Sequence, residues 1–235
     1  MRFLRLLFAA VTLMASTSGA FAAEPKSGTD YTVLESPVRT EAGKKVEVTE
    51  FFMYSCPHCK ALDPLLSEWV KKQGDAIQFR RVHFPLTGAN DPQAHAYLTL
   101  DAMGKIDGLH EKIFTAIHVD RNRLNKDDLL LDFVVKNGVD KAQYLEYFNS
   151  FAVQAKMKRL PQIIAAYKVD SAPTIVIDGR FVTSPSMTSR PGQSELQSQQ
   201  AVLQVMDALV AKAQQEKGGK PAPAAAPAST QPAKK

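Results

Sequence analysis

Two cysteines are all that this 235-residue chain possesses, and only Pro57 and His58 separate them, in the run Ser55-Cys56-Pro57-His58-Cys59-Lys60. A pair without further sulfurs belongs to no framework of structural bridges, so its spacing must serve chemistry. A c-type haem site would need His directly after the second cysteine, where Lys60 stands. A structural zinc site takes four ligands, and His83, His95, His110 and His118 offer no second pair at matching spacing. A redox dithiol remains. It constrains the fold strongly, because such a pair works at the start of a helix that follows a buried strand.

The flanking residues supply that context. Residues 46–54 are β-branched and aromatic enough for a strand, and Pro57 suits the first turn of a helix, where its missing N–H costs nothing. Ala61, Leu62, Leu65, Leu66, Trp69 and Val70 then recur at helical spacing until Gly74, with Pro64 expected to kink the element. Cys56 therefore falls on the unpaired N–H groups of a helix terminus. Their partial positive charge stabilises a thiolate and lowers the cysteine pKa, which makes Cys56 the attacking sulfur and Cys59 the resolving one. His58 is expected to add a hydrogen bond or a positive charge to the Cys56 sulfur. A thiolate so stabilised favours the reduced form, so the disulfide form is a strong oxidant. The plain alternative is an inert two-residue disulfide loop.

Both ends of the chain stand apart from this core. Arg2 and Arg5, an apolar stretch and the small residues before Ala22 have the order of a secretory signal peptide, with cleavage expected after Ala22. The apolar run is shorter than the ~20 residues that cross a bilayer. Residues 216–235 are nearly all Lys, Gly, Pro, Ala, Ser, Thr and Gln, and are expected to form a disordered tail. The signal carries two positive charges and the tail a net three, which together account for the formal +5 of the whole chain. The remaining core is close to neutral, so a basic nucleic-acid-binding face loses its support and no nucleic-acid partner is expected.

Residues Glu50-Phe51-Phe52-Met53-Tyr54-Ser55-Cys56-Pro57-His58-Cys59 resemble the DsbA family of bacterial periplasmic dithiol oxidases, whose usual active site is the Cys-Pro-His-Cys tetrapeptide. The resemblance runs to about residue 212 and implies an α/β thioredoxin fold, a central mixed sheet flanked by helices, with an inserted all-helical block. Apolar positions at 3.6 spacing mark helices over residues 92–103, 109–117, 126–137, 141–148 and 152–167. Strand signals resume at residues 174–177 and 181–182 around Asp178-Gly179, a strong hairpin pair, to complete a sheet with residues 46–54 and 77–84. The domain division expected is a signal over residues 1–22, a thioredoxin-like unit over 23–90 and 168–215, a helical insertion over 91–167, and the tail. A separate helical domain is the other possibility.

The resemblance also implies that Pro173, in Ser171-Ala172-Pro173-Thr174, is cis and packs beside the cysteine pair, with the backbone of Ala172 pairing with a substrate chain. An ordinary trans proline opening a strand is the general alternative. The family often has Val or Thr before this proline, and Ala172 departs from that pattern. Strand alternation puts Glu50 in phase with Val46, Val48, Phe52 and Tyr54, which buries its carboxyl beneath the motif and raises its pKa. That makes it a proton donor or acceptor for Cys59 through a water, the part the matching family residue plays. If the alternation slips at a bulge, Glu50 reaches solvent. Asp63 reads as a solvated helix residue, and the histidines outside the motif as packing or solvated groups.

The expected activity is that of a monomeric protein dithiol oxidase, with catalytic Cys56, Cys59, His58, Pro57 and Glu50 and substrate-binding Ala172 and Pro173. Its substrates would be unfolded or partly folded exported proteins in the periplasm. The resemblance implies reoxidation by a membrane quinone-linked partner of the DsbB type, and neither cofactor nor metal is expected. A reductase or isomerase working in the reduced state is one rival. A non-catalytic metal or thiol carrier is another, with Met53 its only neighbouring soft ligand.

Overall fold

The computed structural model describes residues 24–218, so the proposed signal, residues 1–22, and the tail beyond residue 218 lie outside the described residues. Strand β1 (Thr32–Val33) is followed by β2 (Val46–Phe52), helix α1 (Pro57–Gln73) and β3 (Ile77–His83). Five helices come next, α2 (Pro92–Ala102), α3 (His110–His118), α4 (Asp127–Lys136), α5 (Lys141–Phe148) and α6 (Phe151–Ala166), each within a residue or two of the bounds that the apolar spacing indicates. The sheet then resumes with β4 (Thr174–Ile177) and β5 (Phe181–Thr183), and α7 (Pro185–Thr188) and α8 (Glu195–Glu216) close the fold.

The five strands lie in the order β1-β5-β4-β2-β3. β2 pairs parallel with β3 across the α1 crossover and antiparallel with β4, which leaves the cysteine motif at the end of the central strand. The β4–β5 turn holds Asp178 at φ 52° and Gly179 at φ 69°, the two positive values that a type I′ turn requires. Gly179 is forced there for a second reason. A Cβ at that position would lie 2.0 Å from the carbonyl oxygen of Val38.

Every residue of β2 is buried, because both faces of the sheet are covered. One core, shared with the helical block, contains Phe51, Leu100, Ile113, Phe114, Leu160 and Tyr167. The other gathers Val46, Val48, Leu62, Leu66, Trp69, Met206 and Leu209 between the sheet, α1 and α8. Each large apolar side chain so buried contributes about 1.5–3 kcal/mol relative to exposure. Burial of Leu62, Leu66 and Trp69 carries α1 as one helix through Pro64. The alternation argument for Glu50 predicts one uniform apolar face. In the structure Val48 belongs to one core and Phe52 to the other, and the buried Glu50 stands between them.

α8 has no forecast in the apolar spacing, since its first turns are largely polar, but its start carries a capping box between Ser194 and Gln197. The helix extends to Glu216, one residue into the stretch assigned to the tail. Arg180 pairs with Glu216, and Lys217 Nζ lies 2.6 Å from Asp178 Oδ1, so the hairpin turn anchors the helix end.

Candidate active site

Cys56 is the N-cap of α1, with extended backbone at φ −86° and ψ 116°. Pro57 occupies the first helical position and has no N–H, so the free donors of the first turn are those of His58 and Cys59. The Cys59 N–H reaches Cys56 Sγ at 3.3 Å, and the Cys56 thiol donates to the carbonyl oxygen of Ala172 at 3.4 Å. The Ala172–Pro173 peptide bond is cis, which brings this carbonyl to the sulfur. Both cysteines are free thiols, and Cys59 is completely buried.

The two sulfurs differ sharply in acidity. A hydrogen bond from the Cys59 thiol does most to bring Cys56 down to about 6; burial opposes it, and the N–H groups of Cys59 and His58 and the charge of His58 reinforce it. The same hydrogen bond, together with burial, pushes Cys59 far above the ordinary thiol value. At neutral pH one sulfur is thus a thiolate and its neighbour a thiol. The ultraviolet thiolate absorbance of the reduced protein is expected to show a single titration with a midpoint near 6. A depressed folded pKa adds stability that is fully present above the unfolded thiol value and fades as pH falls through about 6. The melting temperature of reduced protein, measured against oxidised, should therefore lose its advantage between about pH 8 and about pH 5. A midpoint at the ordinary ~8.5, or a pH-independent difference, would contradict the assignment.

Of the two kinds of support expected from His58, a hydrogen bond or a positive charge, the ring supplies the charge. Its Nδ1 lies 2.6 Å from Glu195 Oε1 at the start of α8, and this contact raises the imidazole pKa. That charge is the smallest of the named influences on Cys56, and the directed bonds come from the Cys59 thiol and the backbone N–H groups of Cys59 and His58.

Beneath the motif lies a buried charge network. Arg81, the direct neighbour of Glu50 in the β2–β3 register, donates Nε–H to Glu50 Oε2 at 2.8 Å and a second N–H to Asp63 Oδ1 at 2.8 Å. His110 Nε2 lies 3.2 Å from the same Asp63 oxygen. Burial raises the Glu50 carboxyl above its usual value despite the charges of Arg81 and His110. For Asp63 burial pulls in the same direction, but the hydrogen-bond and charge interactions with His110 and Arg81 outweigh it and hold the carboxyl low. Glu50 in turn bears on Cys59, where its negative charge further disfavours the thiolate.

Two sequence readings change here. Asp63 is buried rather than solvated, because α1 turns it toward Arg81 and His110. Three of the four histidines beyond the motif hold Tyr54, two residues before Cys56, while His95 stacks on Phe148. His83 Nε2 accepts its N–H at 3.3 Å, His118 Nε2 lies 2.8 Å from its carbonyl oxygen, and His110 Nδ1 lies 2.9 Å from its hydroxyl. Burial drops His83 to about 4, which keeps that ring neutral and able to accept. Arg81 and Glu195 are the site-forming residues that sequence reasoning missed. The arginine pair within strand β3 and the Ser194–Gln197 capping box were the available signals.

A thiolate at a helix N-terminus, a buried partner thiol and a cis-proline strand beside them define a thiol-disulfide oxidoreductase of the thioredoxin fold. The family model for the DSBA-like thioredoxin domain matches residues 93–189. The thiol:disulfide interchange protein DsbA of Burkholderia cepacia is 37% identical, over 92% of this chain and 99% of that protein. The DsbA of Pseudomonas aeruginosa is 34% identical over 75% of this chain and 84% of its own length. A crystal structure of Pseudomonas aeruginosa DsbA superposes with a TM-score of 0.75 at 29% identity, covering 83% of this chain and 97% of that one. The chain belongs to the DsbA family of thiol:disulfide interchange proteins.

Proposed function

We propose that the protein works as a net oxidase, donating a Cys56–Cys59 disulfide to exported proteins. The observation that carries this is the opposed acidity of the two sulfurs, since stabilising the Cys56 thiolate stabilises the reduced product and so makes the disulfide more oxidising. A substrate thiolate attacks Cys56 Sγ, and the Cys56–Cys59 bond breaks with its electron pair passing to Cys59, which takes up a proton. Glu50 is the proposed donor of that proton, through a water, its raised pKa matching the task. A second substrate thiolate then attacks the substrate sulfur of the mixed disulfide. Cys56 leaves as the thiolate that the helix terminus holds, and the substrate has lost two electrons. Pro57 keeps the first turn open for the sulfur, His58 lends its charge, and the backbone at Ala172 and Pro173 aligns the substrate chain.

The setting proposed with this chemistry is the periplasm, reached through cleavage after Ala22, with unfolded or partly folded exported proteins as substrates. No described helix is long and apolar enough to cross a membrane, which agrees with that setting. Reoxidation falls to a membrane quinone-linked partner of the DsbB type, and the working unit is a monomer with residues 91–167 inserted into the thioredoxin-like unit. Equilibration of the cysteine pair with glutathione tests the direction of the reaction. The expected potential lies well above that of thioredoxin, about −270 mV. A value at thioredoxin's level would replace the oxidase with a reductase.

A further inference from the structure

The N-termini of α1 and α8 meet at the mouth of the site, and each holds one negative group: Cys56 on α1 and Glu195 on α8. The capping box at Ser194 and Gln197 sets the first turn of α8 and makes Glu195 its first helical residue. From there the carboxylate is gripped twice. His58 Nδ1 lies 2.6 Å from Oε1, and Gln199, one turn further along α8, donates its Nε2–H to the same oxygen at 3.3 Å. His58 and Glu195 stand together in the wall of a cavity of ≈ 340 Å³ that also includes Ala172 and Pro173, the backbone beside the Cys56 sulfur.

We infer that Glu195 is a positioning residue for the exchange reaction: it fixes the His58 imidazole against α8 and so sets the pH range over which that ring assists the Cys56 sulfur. The inference rests on Cys56 being the exchanging sulfur, and not on the net direction of the reaction. The charged and titratable groups acting on His58 are Glu195 from α8 and Cys56 from its own helix. The remaining walls of the cavity, including Ser171, Pro185, Ser186 and Ser189, bring no charge to it. The ion pair therefore behaves as a dipole, with its positive end on the active-site helix and its negative end on α8.

This arrangement gives an unusual pH signature when the carboxylate is removed. In Glu195→Gln, His58 falls back toward the ordinary imidazole value of ~6.5. Above that value the variant loses a cation that the parent protein retains, so the thiolate is less supported and the pair less oxidising. Below it the variant keeps the cation without the opposing anion, and the pair becomes more oxidising than the parent.

The test is the equilibrium constant with glutathione as a function of pH for the parent protein and Glu195→Gln, combined with an NMR titration of the His58 ring. The two curves are expected to cross between about pH 6 and about pH 7. The variant should be about threefold less oxidising on the alkaline side and about twofold more oxidising on the acid side, the scale of an exposed ion pair. The His58 midpoint should move down with the same substitution. In a His58→Phe background, adding Glu195→Gln should leave the pH profile unchanged. Parallel or coincident curves, or an unmoved His58 midpoint, would overturn the inference. The parent protein's absolute potential decides the oxidase reading separately, because crossing curves require no particular potential.

Discussion

Cys56→Ser is expected to lose disulfide exchange by at least about 1000-fold, while the reduced Cys59→Ala variant still attacks a substrate disulfide once, releasing one substrate thiolate, and stops as a mixed disulfide. The asymmetry follows from the site. Cys56 is the N-cap sulfur, poised beside the Ala172 carbonyl and brought down to about 6, so it is the atom that a substrate sulfur reaches and the group that leaves as a thiolate. Cys59 is completely buried and its thiol is held far above the ordinary value, so it neither attacks nor is attacked from solvent. Its part is to close the bond on Cys56 once that sulfur is engaged. Removing Cys59 therefore leaves the first encounter intact and takes away the escape route. Oxidation of a peptide dithiol reports the rate, and intact-mass analysis of the reduced variants, mixed with a peptide disulfide and acid-quenched, reports the trapped species. Should Cys56→Ser retain exchange with the mixed disulfide on Cys59, the roles of the two sulfurs would be reversed.

Arg81→Met should produce the largest loss of stability, about 3–5 kcal/mol at neutral pH. One guanidinium serves two buried carboxyls, Glu50 and Asp63, and its removal leaves both without that cation. His110 stays beside Asp63, so Glu50 takes the heavier penalty. The pH dependence has a definite sign. Without Arg81 the Glu50 pKa rises further above its unfolded value and the lowered Asp63 pKa moves back up, so the variant's folded state binds more protons than the parent's and its deficit grows as pH rises. The deficit should shrink on going from about pH 7 to about pH 4.5, where protonation relieves the buried charges. Urea melts at the two pH values measure this. A variant within about 1 kcal/mol of the parent at both would show that the network contributes little.

The comparison between expectation and structure turns on how far apart the interacting residues lie in the chain. The motif, its helix, the five inserted helices and the β4–β5 hairpin depend on contacts a few residues apart, and periodicity and turn chemistry describe such contacts directly. The burial of Glu50 was also legible, although for an incomplete reason: every position of β2 is covered, so alternation does not single it out. Its partner was not legible. Glu50 and Arg81 are 31 residues apart and meet only through the parallel register of β2 and β3. His58 and Glu195 are 137 residues apart and meet because two helix N-termini converge. The solvated reading of Asp63 failed likewise, since His110 and Arg81 reach it from α3 and β3.

Local chemistry was therefore written into the chain: two sulfurs three positions apart in a strand-to-helix turn specify where a thiolate forms and which sulfur carries it. The strength of that preference was left to the assembled fold, because pKa depends on which charges and dipoles surround a group. Those neighbours come from α1, from Glu50 on β2 and, through His58, from Glu195 on α8. Propensities act over one turn of helix, whereas electrostatic energies depend on distance in space, and only packing converts the one into the other.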